Sequence, residues 1–260
     1  MATFRNYVIA QSLEEAYALN QKRSSAVVAG NMWLRMCGRA CQTAIDISQL
    51  GLDGIEESQE AFTVGAMVSL RDLETHAGLN TAFGGAFAAA LAPVVGTQFR
   101  RTATVGGSVY SRFGFSDVSA LLLALDARVI GHARGETPLA QYQKEPLDRD
   151  ILTHVVIPKG RRAAVQSVRL SATDFPVLVC AASLGDGGLR VVLGARPGRA
   201  AIVADGVSPD GLDVDSLARQ AALGGNARAC KAYREKIAPV LMRRAVGLVQ
   251  GACDAGRVRA

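Results

Sequence analysis

The stretch Thr104-Val105-Gly106-Gly107-Ser108 constrains the fold more than any other part of the chain. Two adjacent glycines beside hydroxyl residues let the backbone turn sharply and leave room close to the main-chain N–H groups. Such a nest of donors suits a phosphate or pyrophosphate. The motif follows Arg100-Arg101 and precedes Phe113-Gly114-Phe115-Ser116-Asp117, which brings a carboxylate within loop reach. A Gly-Gly pair also serves as an ordinary turn, so the motif alone leaves both uses open.

A second glycine turn lies upstream. Ser12-Leu13-Glu14-Glu15 has the form of a capping box, and Leu13, Ala16, Tyr17 and Leu19 then supply the apolar face of a helix. Residues 25–28 read as a short buried strand that runs into Ala29-Gly30-Asn31. A short helix over 32–36 and a strand over 44–47 complete a small βαβ unit.

The middle of the chain changes character. Residues 61–66 read as a strand, Ser69 starts a short capped helix, and the alanine-rich segment 81–91 is a helix that Pro93 ends. Residues 118–128 are mostly apolar, and 151–158 alternate as a strand. Past Pro158 the pattern shifts again. Segments 177–184 and 189–193, joined through Gly185-Asp186-Gly187-Gly188, form a β-hairpin. From Ala227 onward the chain is helical, and Tyr233, Ile237, Val240, Leu241, Ala245 and Leu248 are spaced to bury one face.

Hydrophobic residues make up 49% of the chain and charged residues 20%, as in a globular protein. The apolar runs are too short and interrupted to span a bilayer, and Met1 to Tyr7 lack the apolar core of a signal peptide, so a cytoplasmic location is expected. The net charge of +6 collects late in the chain: Arg228, Lys231, Arg234, Lys236, Arg243, Arg244, Arg257 and Arg259 face only Glu235 and Asp254. With aromatics at 5% and no nucleic-acid module, that stretch reads as a helical docking face or a solvated surface rather than a nucleic-acid site. Cys37, Cys41, Cys180, Cys230 and Cys253 are scattered without a C-x-x-C pair, and His76, His132 and His154 stand apart, so no metal site is expected.

Neither G-x-G-x-x-G nor G-x-x-x-x-G-K-[ST] occurs, yet the ordered set of motifs resembles a known family. Val28-Ala29-Gly30-Asn31, Ile45-Asp46-Ile47-Ser48, Val64-Gly65-Ala66 with Leu70 and Leu73, and Gln98-Phe99-Arg100 come first. Ala103-Thr104-Val105-Gly106-Gly107-Ser108, Ser116-Asp117 and 122–127 follow in order, and 150–158 continue the match. Tyr233-Arg234 and Met242-Arg243-Arg244-Ala245 resemble the closing helices. The set resembles the FAD-binding subunit of the molybdenum hydroxylases, the group of xanthine dehydrogenase and carbon monoxide dehydrogenase.

That resemblance implies an α+β fold: a two-part FAD-binding domain (a small α/β piece over 1–55 and an antiparallel α+β piece over 56–158) followed by a C-terminal sheet-plus-helix domain over 159–260. It implies FAD as cofactor, an iron–sulfur subunit and a molybdopterin-binding large subunit as partners, and NAD as one acceptor of the electrons. By the same resemblance Val28, Ala29, Gly30, Asn31, Met32 and Trp33 form a first pyrophosphate loop. Thr104, Gly106, Gly107 and Ser108 form the second. Asn31, Met32 and Trp33 replace the usual second glycine, threonine and acid or amide, and Ser108 stands where Asn is usual. Asp117 would accept hydrogen bonds from cofactor hydroxyls, or cap the helix after it. Val94, Gly96, Ile151 and Leu152 would lie beside the flavin, and Arg169 would contact or tune it. Arg100 is expected to brace the loop. No residue stands out as a general acid, base or nucleophile, which suits an electron carrier. The alternatives are a scaffold of the same fold that binds no flavin, and a stand-alone flavoenzyme of the wider fold.

Overall fold

A computed structural model describes residues 1–251, and these form three sheets in chain order. The first unit holds β1 (Thr3–Ile9), α1 (Leu13–Asn20), β2 (Ser25–Val28) and β3 (Ala40–Asp46), with β3 parallel to and between the other two strands. Ser12 caps α1 by accepting from the Glu15 N–H, as the capping motif predicts. Between β2 and β3 only a single 3-10 turn forms, over Leu34–Met36.

The second unit is a five-stranded antiparallel sheet with helices. Its strands are β4 (Ile55–Glu57), β5 (Ala61–Gly65), β6 (Arg128–Gly131), β7 (Gly135–Pro138) and β8 (Leu152–Pro158), in the order β4-β5-β8-β6-β7. Its helices are α2 (Leu70–Thr75), α3 (Ala77–Ala82), α4 (Ala86–Leu91), α5 (Thr97–Thr102), α6 (Val105–Tyr110), α7 (Asp117–Ala124) and α8 (Leu139–Tyr142). The single helix expected over 81–91 is split, because Gly84 and Gly85 take φ of 63° and 77° and open a left-handed turn between α3 and α4.

The third unit is an antiparallel sheet, β9 (Arg161–Arg169), β10 (Pro176–Gly185), β11 (Gly188–Gly194) and β12 (Ala201–Val207), followed by α9 (Val214–Gln220) and α10 (Lys231–Gln250). The β10–β11 pair is the hairpin read from the sequence. Helix α7 packs on one face of this sheet and α10 on the other. An apolar core therefore runs across Pro158, from Phe62 and Leu122 to Val179 and Val192.

Helix α10 corrects the expected buried face. Ala238, Leu241, Met242, Ala245, Val246 and Val249 are buried, whereas Tyr233, Val240 and Leu248 are exposed. Arg234 sets this phase. It is fully buried, and its guanidinium donates to the carbonyls of Val177 (2.8 Å), Gly224 (3.0 Å) and Ala229 (2.7 Å) and to Asn226 Oδ1 (2.8 Å). Of the basic run, Arg243 pairs with Asp215, while Cys253, Asp254, Arg257 and Arg259 lie outside the described residues. Among the described residues no helix is long and apolar enough to cross a membrane.

Candidate functional site

A cleft of about 510 Å³ opens where the three units meet, within the size range of small-molecule and cofactor sites. The two glycine turns form its middle. Ala29, Gly30, Asn31, Met32 and Trp33 line it from the loop after β2, and Thr104, Gly106, Gly107 and Ser108 from the start of α6. The loops touch directly: a Cβ on Gly30 would sit 1.8 Å from the carbonyl oxygen of Thr102. Asn31 follows with φ of 55°, a left-handed conformation that asparagine tolerates better than most residues.

Gly106 also has a packing role. A Cβ at Gly106 would meet Ala66 at 2.7 Å, so that glycine serves the seating of α6 on the segment after β5. Thr104 caps α6, its hydroxyl accepting from the Gly107 N–H at 3.1 Å and keeping its own proton to donate. Ser108 instead donates its proton to the Thr104 carbonyl at 2.9 Å. Only its lone pairs face other partners.

Val94, Ile151 and Leu152 also line the cleft. Val28 and Gly96 do not. Val28 is buried in β2 while its neighbours Val27 and Ala29 face the cleft, and Gly96 is the N-cap of α5. Val95, just before it, has φ of 49°, an unusual conformation for a β-branched residue. The turn is held from below by Arg100, which donates to the Val94 carbonyl at 3.0 Å and pairs with buried Glu74 at 2.7 Å. Arg100 thus braces the wall, as expected.

Asp117 and Arg169 come together from distant parts of the chain. Arg169 Nη2 lies 2.7 Å from Asp117 Oδ1, and the two side chains are only 9% and 5% exposed. Burial pushes the Asp117 carboxyl above the ordinary aspartate range, against the opposing pull of the Arg169 guanidinium. The helix cap is Ser116, not Asp117. Arg169 also donates to the Asp174 carbonyl, while its buried Nε has no acceptor.

Several lining residues were not among the expected site residues. Asp148, Arg149 and Asp150 belong to the loop before β8, where Arg149 donates to the carbonyls of Asn20 (2.7 Å) and Lys22 (2.8 Å) and locks the loop to the end of α1. Phe113, Phe115 and Phe175 face Trp33 across the cleft wall. The Phe-Gly-Phe spacing was a visible hint for two of these; Phe175 had none.

The chemistry of the walls suits a dinucleotide with a flat ring. The loop after β2 lines the cleft with its backbone, Thr104 keeps a free hydroxyl proton, and buried Arg169 Nε calls for an acceptor oxygen, while the N–H groups of residues 105–108 are engaged by Val68, Ala66 and Thr104. The residues present therefore fit FAD.

Known proteins place this geometry. Residues 2–160 match the family described as the FAD binding domain in molybdopterin dehydrogenase. The protein YgfM of Escherichia coli (strain K12) is 29% identical over 187 residues, 71% of this chain and 65% of that protein, so the match spans a little under two-thirds of the relative's length. Three solved structures share the fold. Carbon monoxide dehydrogenase from Hydrogenophaga pseudoflava aligns at 20% identity and a TM-score of 0.85, covering 97% of this chain and 99% of that one. The reconstituted CO dehydrogenase from Oligotropha carboxidovorans gives 21%, 0.84, 96% and 99%. Quinoline 2-oxidoreductase from Pseudomonas putida 86 gives 19%, 0.81, 96% and 98%. The chain belongs to the family described as the FAD binding domain in molybdopterin dehydrogenase, and its cofactor is FAD.

Proposed function

We propose that this chain is the FAD-carrying electron-transfer subunit of a heteromeric molybdenum hydroxylase. Its partners are an iron–sulfur subunit and a molybdopterin-binding large subunit, and electrons leave the flavin to NAD or another acceptor. The meeting of the Gly30 and Thr104–Ser108 loops across one cleft carries this reading. FAD bound there supplies a redox centre that accepts and passes on electrons. The protein's own task is to hold and orient it.

The site residues divide that task. The Ala29–Trp33 loop and Thr104 face the pyrophosphate, Asp117 and Arg169 the polar edges of the cofactor, and Val94, Ile151 and Leu152 its apolar surfaces. The carboxylates on the cleft walls are already engaged: Asp117 by Arg169, Asp148 by the Asp150 N–H, Asp150 by the N–H groups of Ala133 and Arg134, and Asp174 by the Phe175 N–H. Such a site positions a redox cofactor and leaves no free carboxylate for proton transfer. The same reading divides the chain into an FAD-binding domain over 1–158, with an inner division near residue 55, and a C-terminal domain from 159, each piece built on its own sheet.

Purification of the full chain tests it. One flavin per chain is expected, together with iron–sulfur and molybdopterin-bearing partners in the intact complex. A colourless chain that takes up no FAD on reconstitution refutes the reading. Mixing the reduced complex with NAD then decides the acceptor.

A further inference from the structure

From Ala16 to Ile45 the chain carries Lys22, Arg23, Arg35 and Arg39 but no aspartate or glutamate. The fold gathers these cations at the end of the first sheet where its strands begin. The Arg39 guanidinium donates to the Arg23 carbonyl at 2.6 Å, and Arg149 reaches the same carbonyl at 3.2 Å and that of Lys22 at 2.8 Å. The Arg35 carbonyl accepts from the Ala2 N–H at 3.0 Å and the Arg39 carbonyl from the Thr3 N–H at 3.2 Å, which ties the loop after β2 to the start of β1. Lys22, Arg23, Arg35 and Arg39 are exposed, and among the described residues neither they nor Arg149 forms an ion pair.

This corner is also part of the cleft rim. Cys37, Arg39, Leu147 and Arg149 line the cleft. Met36, next to Arg35, is 58% exposed, and Leu147, two residues before Arg149, is 59% exposed. Arginine and methionine are enriched in protein interfaces. The carboxylates on either side of Arg149 are engaged elsewhere: Asp148 lies 3.5 Å from Arg134, and Asp150 accepts from the N–H groups of Ala133 and Arg134. The basic helix α10 is more nearly neutralised, since Lys231 pairs with Glu235 and Arg243 with Asp215.

We propose that this corner docks the acceptor of the electrons, and that the acceptor is a one-electron carrier protein with an acidic face. The inference rests on the FAD reading above. Unpaired cations attract an anionic face across a Debye length and orient it before contact. A second copy of this chain would set the same cations against one another, which opposes pairing about a two-fold axis here. A small anion gains nothing from Met36 and Leu147, whereas a protein face buries them. The place of the corner on the rim selects a redox partner, because a protein seated there stands at the opening of the flavin cleft. Reduced FAD then gives up two electrons and releases one proton to water, and two carrier molecules each gain one electron.

The test uses the full chain loaded with FAD and, as the probe, an oxidised acidic flavodoxin. Flavodoxin affinity is expected to fall roughly tenfold between about 20 mM and about 300 mM salt. Lys22→Glu combined with Arg35→Glu changes two exposed residues that do not line the cleft. The pair should weaken flavodoxin roughly tenfold at low salt and slow its reduction, at unchanged FAD content and melting temperature. Lys236→Glu combined with Arg244→Glu, exposed on α10, should leave both as they were. Flavodoxin binding that ignores salt and the first pair, or that is lost through the α10 pair instead, overturns the proposal while the FAD reading stands. So does an intact complex that sheds an iron–sulfur or molybdopterin subunit when it carries the first pair, which assigns the corner to that subunit. Binding to anionic lipid vesicles that the first pair abolishes, with flavodoxin unaffected, assigns it to a membrane and overturns the proposal too. Wild-type chain that binds no FAD overturns both readings.

Discussion

Gly30→Ala is the substitution on which the geometry of the cleft bears hardest. The added Cβ would lie 1.8 Å from the Thr102 carbonyl oxygen, 2.7 Å from its carbon and 3.1 Å from Ala103 Cα. These are backbone atoms at the end of α5, so no side chain can swing aside. Reaching even 3.0 Å from the oxygen requires the loop after β2 and the end of α5 to separate by at least 1.2 Å. Overpacking of this kind costs about 1–3 kcal/mol. For a chain of this size that lowers Tm by roughly 3–10 °C. The same displacement carries N–H groups out of the narrow range, about 2.7–3.2 Å, in which they hydrogen-bond a phosphate oxygen. Loss of one charge-assisted bond, about 1.5–3 kcal/mol, weakens FAD by roughly one to two orders of magnitude.

Two measurements on one sample check this: flavin released per chain after gel filtration, and the thermal melt with and without added FAD. Gly38→Ala, in the same loop, is the control. A Cβ there meets nothing within 4 Å, so Tm and flavin content should match wild type. Gly30→Ala with wild-type Tm and wild-type FAD content would mean that the two loops do not meet as described.

Other expectations concern the supports of the site. Arg234→Met leaves the carbonyls of Val177, Gly224 and Ala229 without their donor and should cost about 3–5 kcal/mol in a urea melt; Arg234→Lys should recover only part of this, because an ammonium cannot reproduce the planar fork. Glu74 is buried, which disfavours its charge, but its bonds to Arg100 and Arg71 prevail and hold its carboxyl below the ordinary glutamate range. A lowered folded-state pKa gives stability that is present above the unfolded value and lost as pH falls through the folded one. The stability gap between wild type and Glu74→Gln should therefore be widest near neutrality and close as pH falls below about 4. Cys37 is exposed on the cleft and Cys230 is exposed elsewhere, whereas Cys41 and Cys180 are buried and burial pushes the Cys180 thiol up to about 12. Peptide-resolved alkylation should label Cys37 and Cys230 ahead of Cys41 and Cys180, with FAD protecting Cys37 alone.

The elements whose cause is local were legible in the sequence. Ser12 and Ser69 cap the helices they were expected to start, and the glycine-rich turn at 185–188 joins its two strands. Where the cause is tertiary, periodicity misled. Tyr233, Val240 and Leu248 are exposed although they are larger than the buried Ala238 and Ala245, because α10 turns to the sheet the face that carries Arg234, whose guanidinium reaches the carbonyls beneath it. The segment 81–91 has the composition of one helix, but Gly84 and Gly85 lie inside it with positive φ and α3 ends before them. The aromatic wall lies furthest from any linear signal. Its rings come from positions 33, 113, 115 and 175, and only the packing of three sheets makes them neighbours.

The glycines show why a motif can point to the right place for an incomplete reason. Gly30 and Gly106 each face protein atoms that exclude a Cβ: the Thr102 carbonyl in one case and Ala66 in the other. These contacts exist whether or not a cofactor lies between the loops. A chain of this fold that had lost its flavin would keep the same letters merely to stay folded, so the glycine pattern reports architecture. An unpaired buried donor costs about 1–3 kcal/mol wherever it lies. Arg112, Arg134, Arg169 and Arg228 all carry such donors, but of these arginines only Arg169 lines the cleft, where a ligand can supply the acceptor. Its side chain is 9% exposed, it is bound to Asp117 and Asp174, and its Nε has no acceptor. Between a flavin subunit and a bare scaffold, the discriminating residue is therefore Arg169 rather than Gly106.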